Sequence, residues 1–140
     1  MGNVPEPDVI LGKHAIIDLS GCNPELIGNN AFIQEILCQA AQIANIIIVG
    51  ELERHFEPNG YTAILLLEES HLSIHTWPEY SYVSVDLYSC NLDTDFEAVK
   101  IFLVDKLGAE KNVFTLIDRG FFKTKIYNTL TSQHNPSPSN

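Results

Sequence analysis

Residues 80–90 alternate apolar and polar side chains, and this alternation constrains the fold more than any other feature of the sequence. Val83, Val85 and Leu87 fall on one side of an extended segment. The other side receives Tyr82, Ser84, Asp86, Tyr88 and Cys90. Because successive side chains of a β-strand point to opposite faces, the pattern predicts a strand with one apolar and one polar face.

Two segments have helical periodicity. In residues 30–44 the apolar side chains recur at three- and four-residue steps after Asn29, which suits a helix start. A second helix is predicted from Thr94 to about Gly108, because Thr94 and Glu97 have the spacing of a capping box.

Further strands are predicted at residues 13–19, 45–53, 61–67 and 113–117. With two helices, both are expected on one face of the sheet, and the other face then needs a partner or carries the site. The predicted fold class is α+β: a two-layer α/β sandwich, with an antiparallel-rich sheet, two helices on one face and two similar β-α-β halves. The domain is expected to span residues 11–122, between a tail of residues 1–10 and a flexible tail of residues 123–140.

Composition excludes several classes of function. The net charge of −10 argues against a general nucleic-acid binder, because a polyanion would be repelled. Residues 1–7 lack the pattern of a signal peptide and no apolar stretch is long enough to span a bilayer, so no membrane association is expected. The three cysteines contain no CxxC pair, which favours a reducing, cytoplasmic compartment.

Residues 68–79 place three carboxylates, two serines, two histidines and a tryptophan directly after an apolar run. If the segment is extended, His71, Ser73, His75 and Trp77 share one face. The residue types permit three interpretations: a metal site, a nucleophile with its base, or a structural strand edge.

The three interpretations carry different weight. A metal held by the two histidines and Glu79 is disfavoured, because residues four apart on a strand lie about 13 Å apart. A serine or Cys90 activated by His75 is possible, since residues 80–90 are expected to pair with this segment. A structural role would require a partner for every buried polar group, which favours a site. The residues alone do not select the nucleophile or the substrate.

Residues 69–79, followed by Tyr82, Asp86 and Cys90, resemble the short prokaryotic S-adenosylmethionine decarboxylases. Residues 12–22 are similar to the first strand of this family, and the resemblance extends over residues 11–122. These enzymes are self-processing and depend on a pyruvoyl group.

The resemblance implies a proenzyme that cuts itself between Glu69 and Ser70, giving chains of residues 1–69 and 70–140. The Ser70 hydroxyl attacks the Glu69 carbonyl, and the resulting ester breaks down to leave a pyruvoyl group in place of Ser70. His75 matches the proton acceptor of processing. Thr62 stands where relatives have a serine that assists processing, and its hydroxyl can make the same hydrogen bond.

The resemblance also implies how the processed chain acts. The pyruvoyl group forms a Schiff base with the substrate amine and serves as the electron sink for loss of CO2. Cys90 matches the proton donor. The product, decarboxylated S-adenosylmethionine, is the aminopropyl donor for spermidine and polyamine synthesis. No metal is expected.

Phe56 and Trp77 match aromatic residues that stack on adenine, and Glu79 matches the carboxylate that binds the ribose hydroxyls. Phe56 has an alternative role as a core residue, and no chemistry is assigned to Cys22 or Cys38. The resemblance further implies a homodimer of processed protomers, with active sites near the interface. Two alternatives remain: a pyruvoyl decarboxylase of arginine or ornithine on the same scaffold, and an unprocessed, inactive regulatory homologue.

Overall fold

The chain forms seven strands and three α-helices within residues 8–122 and 127–133, the part that this computed structural model describes. The strands are β1 (Val9–Ser20), β2 (Ile48–His55), β3 (Tyr61–Leu67), β4 (Ser70–Trp77), β5 (Tyr82–Ser89), β6 (Lys111–Phe121) and β7 (Tyr127–Gln133). The helices are α1 (Pro24–Ile27), α2 (Asn30–Ile43) and α3 (Phe96–Leu107), and a short 3-10 helix occupies Pro78–Tyr80.

All seven strands belong to one antiparallel sheet with the order β2-β3-β4-β5-β1-β6-β7. The two halves of the chain share this sheet, because β1 lies between β5 and β6 and pairs with both. The central strands β4 and β5 pair in register from Ser70 opposite Ser89 to Trp77 opposite Tyr82. This register fixes which polar residues of the two strands are neighbours.

One face of the sheet carries the core. Alternate residues of the central strands are buried there, including Leu72 and Ile74 on β4 and Val83, Val85 and Leu87 on β5. They form one apolar cluster with the buried sides of α2 and α3, which also contact each other. Both helices therefore cover the same face, and the hydrophobic effect of this shared cluster holds the two layers together.

The other face, called here the open face, has no covering layer within the described residues. Leu52, Ile64, Ser73, Asp86 and Ile16 are direct neighbours across five adjacent strands, so they share this face. Leu52, Ile64 and Ile16 are exposed on it. The open face thus combines polar residues with exposed apolar side chains.

The predicted fold class, an antiparallel-rich sheet with its two main helices on one face, is confirmed. The extended conformation assumed for residues 70–77 and the side-chain alternation of β5 are confirmed as well.

The boundaries of the domain differ from the prediction. Strand β1 begins at Val9, and Tyr127–Gln133 forms the edge strand β7, although both segments were predicted as tails. The polar composition of the second segment resembles a linker, but its backbone groups pair with the edge of β6. Residues 1–7, 123–126 and 134–140, which were also predicted as tails, lie outside the described residues.

The predicted capping box at Thr94 is wrong. Asp95 is the N-cap of α3, and its side chain accepts a hydrogen bond of 3.0 Å from the Ala98 N–H. The Thr94 hydroxyl instead lies 2.9 Å from the hydroxyl of Ser89. A threonine beside an aspartate offers two equivalent caps in sequence, and the nonlocal contact with Ser89 decides between them.

Candidate active site

A tight hairpin joins β3 to β4, with Glu68 and Glu69 in the turn and Leu67 paired with Ser70. The Glu69 carbonyl accepts a hydrogen bond of 3.1 Å from the backbone N–H of Cys90. Glu69, Ser70 and Cys90, which the sequence predicted to act together, are therefore neighbours. We call these three residues the hairpin end.

The Ser70 hydroxyl oxygen is buried and has no hydrogen-bond partner among the described residues. Buried hydroxyl groups are normally paired, because leaving one unpaired costs about 1–3 kcal/mol. Such an atom beside a backbone carbonyl is suited to nucleophilic attack, since no hydrogen bond restrains it. Cys90, whose backbone N–H binds the Glu69 carbonyl, is exposed and has a free thiol.

A pocket of about 380 Å³ opens at the opposite end of β4. Its lining residues are Phe56, Asn59, Gly60, Thr62, His75, Thr76, Trp77 and Glu79. The set contains all five residues that the sequence predicted for substrate binding and for assisting processing, apart from those of the hairpin end. We call Phe56, Thr62, His75, Trp77 and Glu79 the pocket end.

Local chain geometry forms the walls of this pocket. Gly60 has a φ of +111°, a conformation that favours glycine, and its carbonyl accepts a hydrogen bond of 2.9 Å from the Phe56 N–H. This turn brings Phe56 to one side of the pocket with its ring about half exposed. On the other side, Pro78 ends the ladder of β4 and the following 3-10 turn presents Glu79.

His75 is held by Thr62, its direct partner across β3 and β4. The Thr62 hydroxyl lies 2.9 Å from His75 Nδ1. When this hydroxyl donates, Nδ1 is the acceptor and Nε2 carries the proton. The Thr62 hydroxyl and the His75 ring are therefore in direct contact.

Aromatic contacts continue from His75 along the open face. The His75 ring lies 6.0 Å from that of Trp77, and Trp77 lies 5.4 Å from Tyr82. The Tyr82 hydroxyl donates a hydrogen bond of 2.6 Å to Asp18. Burial raises the pKa of Tyr82 to about 12, and the bond to Asp18 adds to the shift. Tyr82 thus stays a hydrogen-bond donor at neutral pH and anchors the ring beside Trp77.

The hairpin end and the pocket end do not meet within one chain. Ser70 and His75 are five residues apart on β4, a separation of about 16 Å at about 3.3 Å per residue. The odd spacing also directs their side chains to opposite faces of the sheet. The prediction that His75 acts on Ser70 therefore requires more than this chain alone provides.

Sequence reasoning missed a polar cluster on the open face between the two ends. Asp86 lies 3.2 Å from His71 Nε2 and 3.8 Å from His14 Nε2, and it accepts a hydrogen bond of 2.8 Å from Ser73. The alternation of β5 placed Asp86 on the polar face. The pairing of β1 with β5, which brings His14 to it, is nonlocal and leaves no local sequence signal.

His14, His71 and Asp86 have donor atoms within 4.8 Å of one another, so their residue types could hold a metal. The tautomer of His14 opposes this, because Arg119 lies 3.3 Å from His14 Nδ1 and a guanidinium only donates. Nδ1 then accepts, and the proton sits on Nε2, the atom that faces Asp86. Burial lowers the pKa of His14, which favours its neutral form, and Asp86 opposes that shift in part. The cluster is therefore centred on Asp86, which accepts a hydrogen bond from Ser73 and forms ion-pair contacts with His71 and His14.

Cys22 and Cys38 lie at neither end. Cys22 belongs to the core, and burial raises the pKa of its thiol to about 12. Cys38 packs against the core, and burial together with the charge of Glu51 raises the pKa of its thiol. Both thiols therefore stay protonated near neutral pH and have a packing role.

Residues 13–120 match the family model described as S-adenosylmethionine decarboxylase. A relative from Archaeoglobus fulgidus, described as an S-adenosylmethionine decarboxylase proenzyme, is 38% identical over 113 residues, which cover 80% of this chain and 100% of the relative. A relative of the same description from Thermococcus onnurineus is 34% identical over 110 residues, covering 79% and 78%.

The structure is similar to the crystal structure of the adenosylmethionine decarboxylase from Aquifex aeolicus, with a TM-score of 0.75 and 29% identity. The match covers 83% of this chain and 96% of that one. Fold and site together define an α+β enzyme domain with a buried, unpartnered serine hydroxyl at a hairpin and a pocket at the other end of the same strand. The chain belongs to the S-adenosylmethionine decarboxylase family, as the sequence predicted. Among the described residues, no helix has the length and apolarity to cross a membrane.

Proposed function

We propose that this chain is a self-processing, pyruvoyl-dependent enzyme that converts S-adenosylmethionine to its decarboxylated form and CO2. The observation that carries the proposal is the hairpin end, where a buried, unpartnered serine hydroxyl lies beside a carbonyl bound by the Cys90 N–H. The curated relatives, whose descriptions include the word proenzyme, support a chain that must be cut to become active.

Processing follows from the groups at the hairpin end. The Ser70 oxygen attacks the Glu69 carbonyl carbon, and the peptide bond is exchanged for an ester. Negative charge develops on the carbonyl oxygen during this step, and the Cys90 N–H is placed to stabilise it. A base then removes the Ser70 α-proton, Glu69 leaves as a carboxylate, and the remaining dehydroalanine hydrolyses to a pyruvoyl group and ammonia.

The unpartnered Ser70 hydroxyl fits the step that begins the formation of this group, because no hydrogen bond competes with attack by its oxygen. When present, the pyruvoyl ketone supplies an electron sink for the carbon that loses CO2. Cys90, whose N–H binds the Glu69 carbonyl and whose thiol is free and exposed, is the proposed proton donor to the same carbon.

The pocket end has the chemistry to bind the nucleoside part of S-adenosylmethionine. Phe56 and Trp77 are both partly exposed and present aromatic faces, which bind an adenine ring by stacking and a sulfonium charge by cation–π attraction. Glu79 lines the same pocket and can accept hydrogen bonds from the ribose hydroxyls. Arginine and ornithine offer neither an aromatic ring nor a ribose to these groups.

We propose that two copies of the chain form each active site. The separation of about 16 Å between Ser70 and His75 prevents one chain from using both. In this proposal a second copy packs on the open face by a two-fold axis and brings the partner subunit's His75 to the main chain of the hairpin end, where it takes the Ser70 α-proton, and the reverse. The exposed Ile16, Leu52, Ile64 and Leu66 on that face support such an isologous homodimer, because they would be buried in it. The free cysteines of the described residues are consistent with the cytoplasmic location that we propose.

Two measurements test the proposal. Intact-mass spectrometry of the purified protein is expected to show residues 1–69 and a pyruvoyl-blocked chain of residues 70–140. CO2 release is then measured side by side from S-adenosylmethionine, arginine and ornithine, with Ser70→Ala as the inactive control. Turnover of arginine or ornithine in place of S-adenosylmethionine would replace the proposed substrate, and a chain that stays whole on long incubation would support an inactive homologue.

A further inference from the structure

The loop that follows β5 carries Cys90 and is closed by a buried pair of hydroxyl groups. Ser89 has no exposed surface and Thr94 is 8% exposed. Their hydroxyl oxygens lie 2.9 Å apart, on the two sides of Cys90 in the chain. A buried hydrogen bond between side chains at both ends of a short loop fixes the path of the loop.

Other hydrogen bonds of the loop also involve Ser89 or Thr94. The Asn91 N–H donates to the Ser89 oxygen at 3.1 Å, and the Ser89 hydroxyl lies 3.3 Å from the Asn91 carbonyl. That carbonyl also accepts the Thr94 N–H at 3.2 Å. When the Ser89 hydroxyl donates to the Asn91 carbonyl, the Thr94 hydroxyl is the donor to Ser89. The protons of both hydroxyl groups are then hydrogen-bonded.

Among the described residues, Cys90 itself makes few contacts that could fix its position. Its side chain is exposed, and its N–H donates to the Glu69 carbonyl on the neighbouring hairpin. The place of this N–H therefore depends on the loop that Ser89 and Thr94 close. Thr94 is free for this role because Asp95 caps α3.

We propose that Ser89 and Thr94 are positioning residues for Cys90, an inference that rests on the proposed function. The buried hydroxyl pair holds the Cys90 N–H against the Glu69 carbonyl for self-cleavage and holds the Cys90 thiol in place for the decarboxylation that follows. Neither Ser89 nor Thr94 contacts the pocket end, which lies about 16 Å away along β4.

The test is Thr94→Val, which keeps the side-chain shape and removes the donor. Self-cleavage, followed by intact mass from the time of synthesis or refolding, is expected to slow by about 10-fold or more, because a buried hydrogen bond that orients a reacting group is lost. In the fraction that does process, kcat is expected to fall by a similar factor while KM stays within about twofold, since the pocket end is unchanged.

Three further variants make the result specific. Thr94→Ser keeps the hydroxyl and is expected to restore cleavage to within about threefold of the wild-type rate. Val104→Ala removes two methyl groups from the buried side of α3 and serves as a variant of lowered stability with its loop hydroxyls intact. Ser89→Ala deletes the other member of the pair and replaces Thr94→Val if the latter does not fold.

Wild-type cleavage and kcat in a folded Thr94→Val or Ser89→Ala chain would overturn the inference and leave the proposed function standing. An equal loss in Val104→Ala would also overturn it, because the effect would then report stability. Failure of the wild-type chain to cleave at all would instead count against the proposed function.

Discussion

The two ends of β4 are built in different ways. At the hairpin end the arrangement depends on backbone groups and buried hydroxyls: the Glu69 carbonyl, the Cys90 N–H and the Ser70 oxygen. At the pocket end it depends on partly exposed side chains, chiefly the rings of Trp77 and Phe56. Under the proposed function, the hairpin end supplies the bond that breaks, while the pocket end supplies the rings that bind the substrate and His75, the base of processing.

Ser70→Ala is expected to have the largest effect, complete loss of self-cleavage, because the attacking oxygen is removed. The measurement is intact mass after prolonged incubation. Ser20→Ala, at the far end of β1, is the matched control and is expected to cleave normally. A Ser70→Ala chain that still yields residues 1–69 would place the nucleophile elsewhere.

Complementation tests whether the two ends meet across a dimer. Ser70→Ala and His75→Ala chains are each expected to remain whole alone. When the two are coexpressed, about half of the His75→Ala chains should be cleaved, because random pairing gives half of them a partner with an intact histidine. The variants are told apart by mass. No cleavage in mixtures that are shown to contain mixed dimers would contradict an active site shared between subunits.

Cys90→Ala is expected to lower kcat of the processed enzyme by about 100-fold, because the proposed proton donor is lost. KM should change little, since the thiol lies at the hairpin end. Steady-state kinetics on the processed fraction provide the measurement, with Cys38→Ala as a control on α2. A rise in KM with an unchanged kcat would move Cys90 from catalysis to binding.

Trp77→Ala is expected to show the opposite pattern, with KM raised about 10- to 100-fold and self-cleavage retained, because a stacking surface is removed. Trp77→Phe should recover most of the loss. Tyr80→Ala, exposed on the adjacent turn, is the control. Equal effects on KM from Trp77→Ala and Tyr80→Ala would show that the pocket does not bind the nucleoside.

The smallest expected effect is that of Tyr82→Phe on stability at high pH. Tyr82 is the residue that anchors the ring beside Trp77. The folded state holds the Tyr82 proton up to about pH 12, whereas the unfolded chain releases it near pH 10. This contribution to stability is therefore complete below pH 10 and is lost as the pH rises towards 12. Tyr82→Phe removes this contribution. The difference in free energy of unfolding between the wild type and this variant should therefore shrink between pH 8 and pH 11.5. Urea unfolding at these pH values checks the result, with Tyr80→Phe as control, and a deficit that is constant with pH would contradict it.

Much of the fold could be predicted from local pattern. The alternation in residues 80–90 and the apolar faces of α2 and α3 reflect periods of 2 and 3.6 residues, which the chain carries without tertiary information. Strand β7 and the role of Thr94 could not be predicted in this way. One depends on the free edge of β6 and the other on a contact with Ser89, and both partners come from other elements.

The sequence by itself determined the fold class and the family and indicated the candidate residues at both ends of β4, because motif residues and periodicity are local properties. Only the tertiary structure decided how these residues are grouped. Pairing of β4 with β5 brings Cys90 to Glu69, and the length of β4 separates both from His75. The physical reason is that strand register and strand rise fix distances that sequence spacing alone does not express.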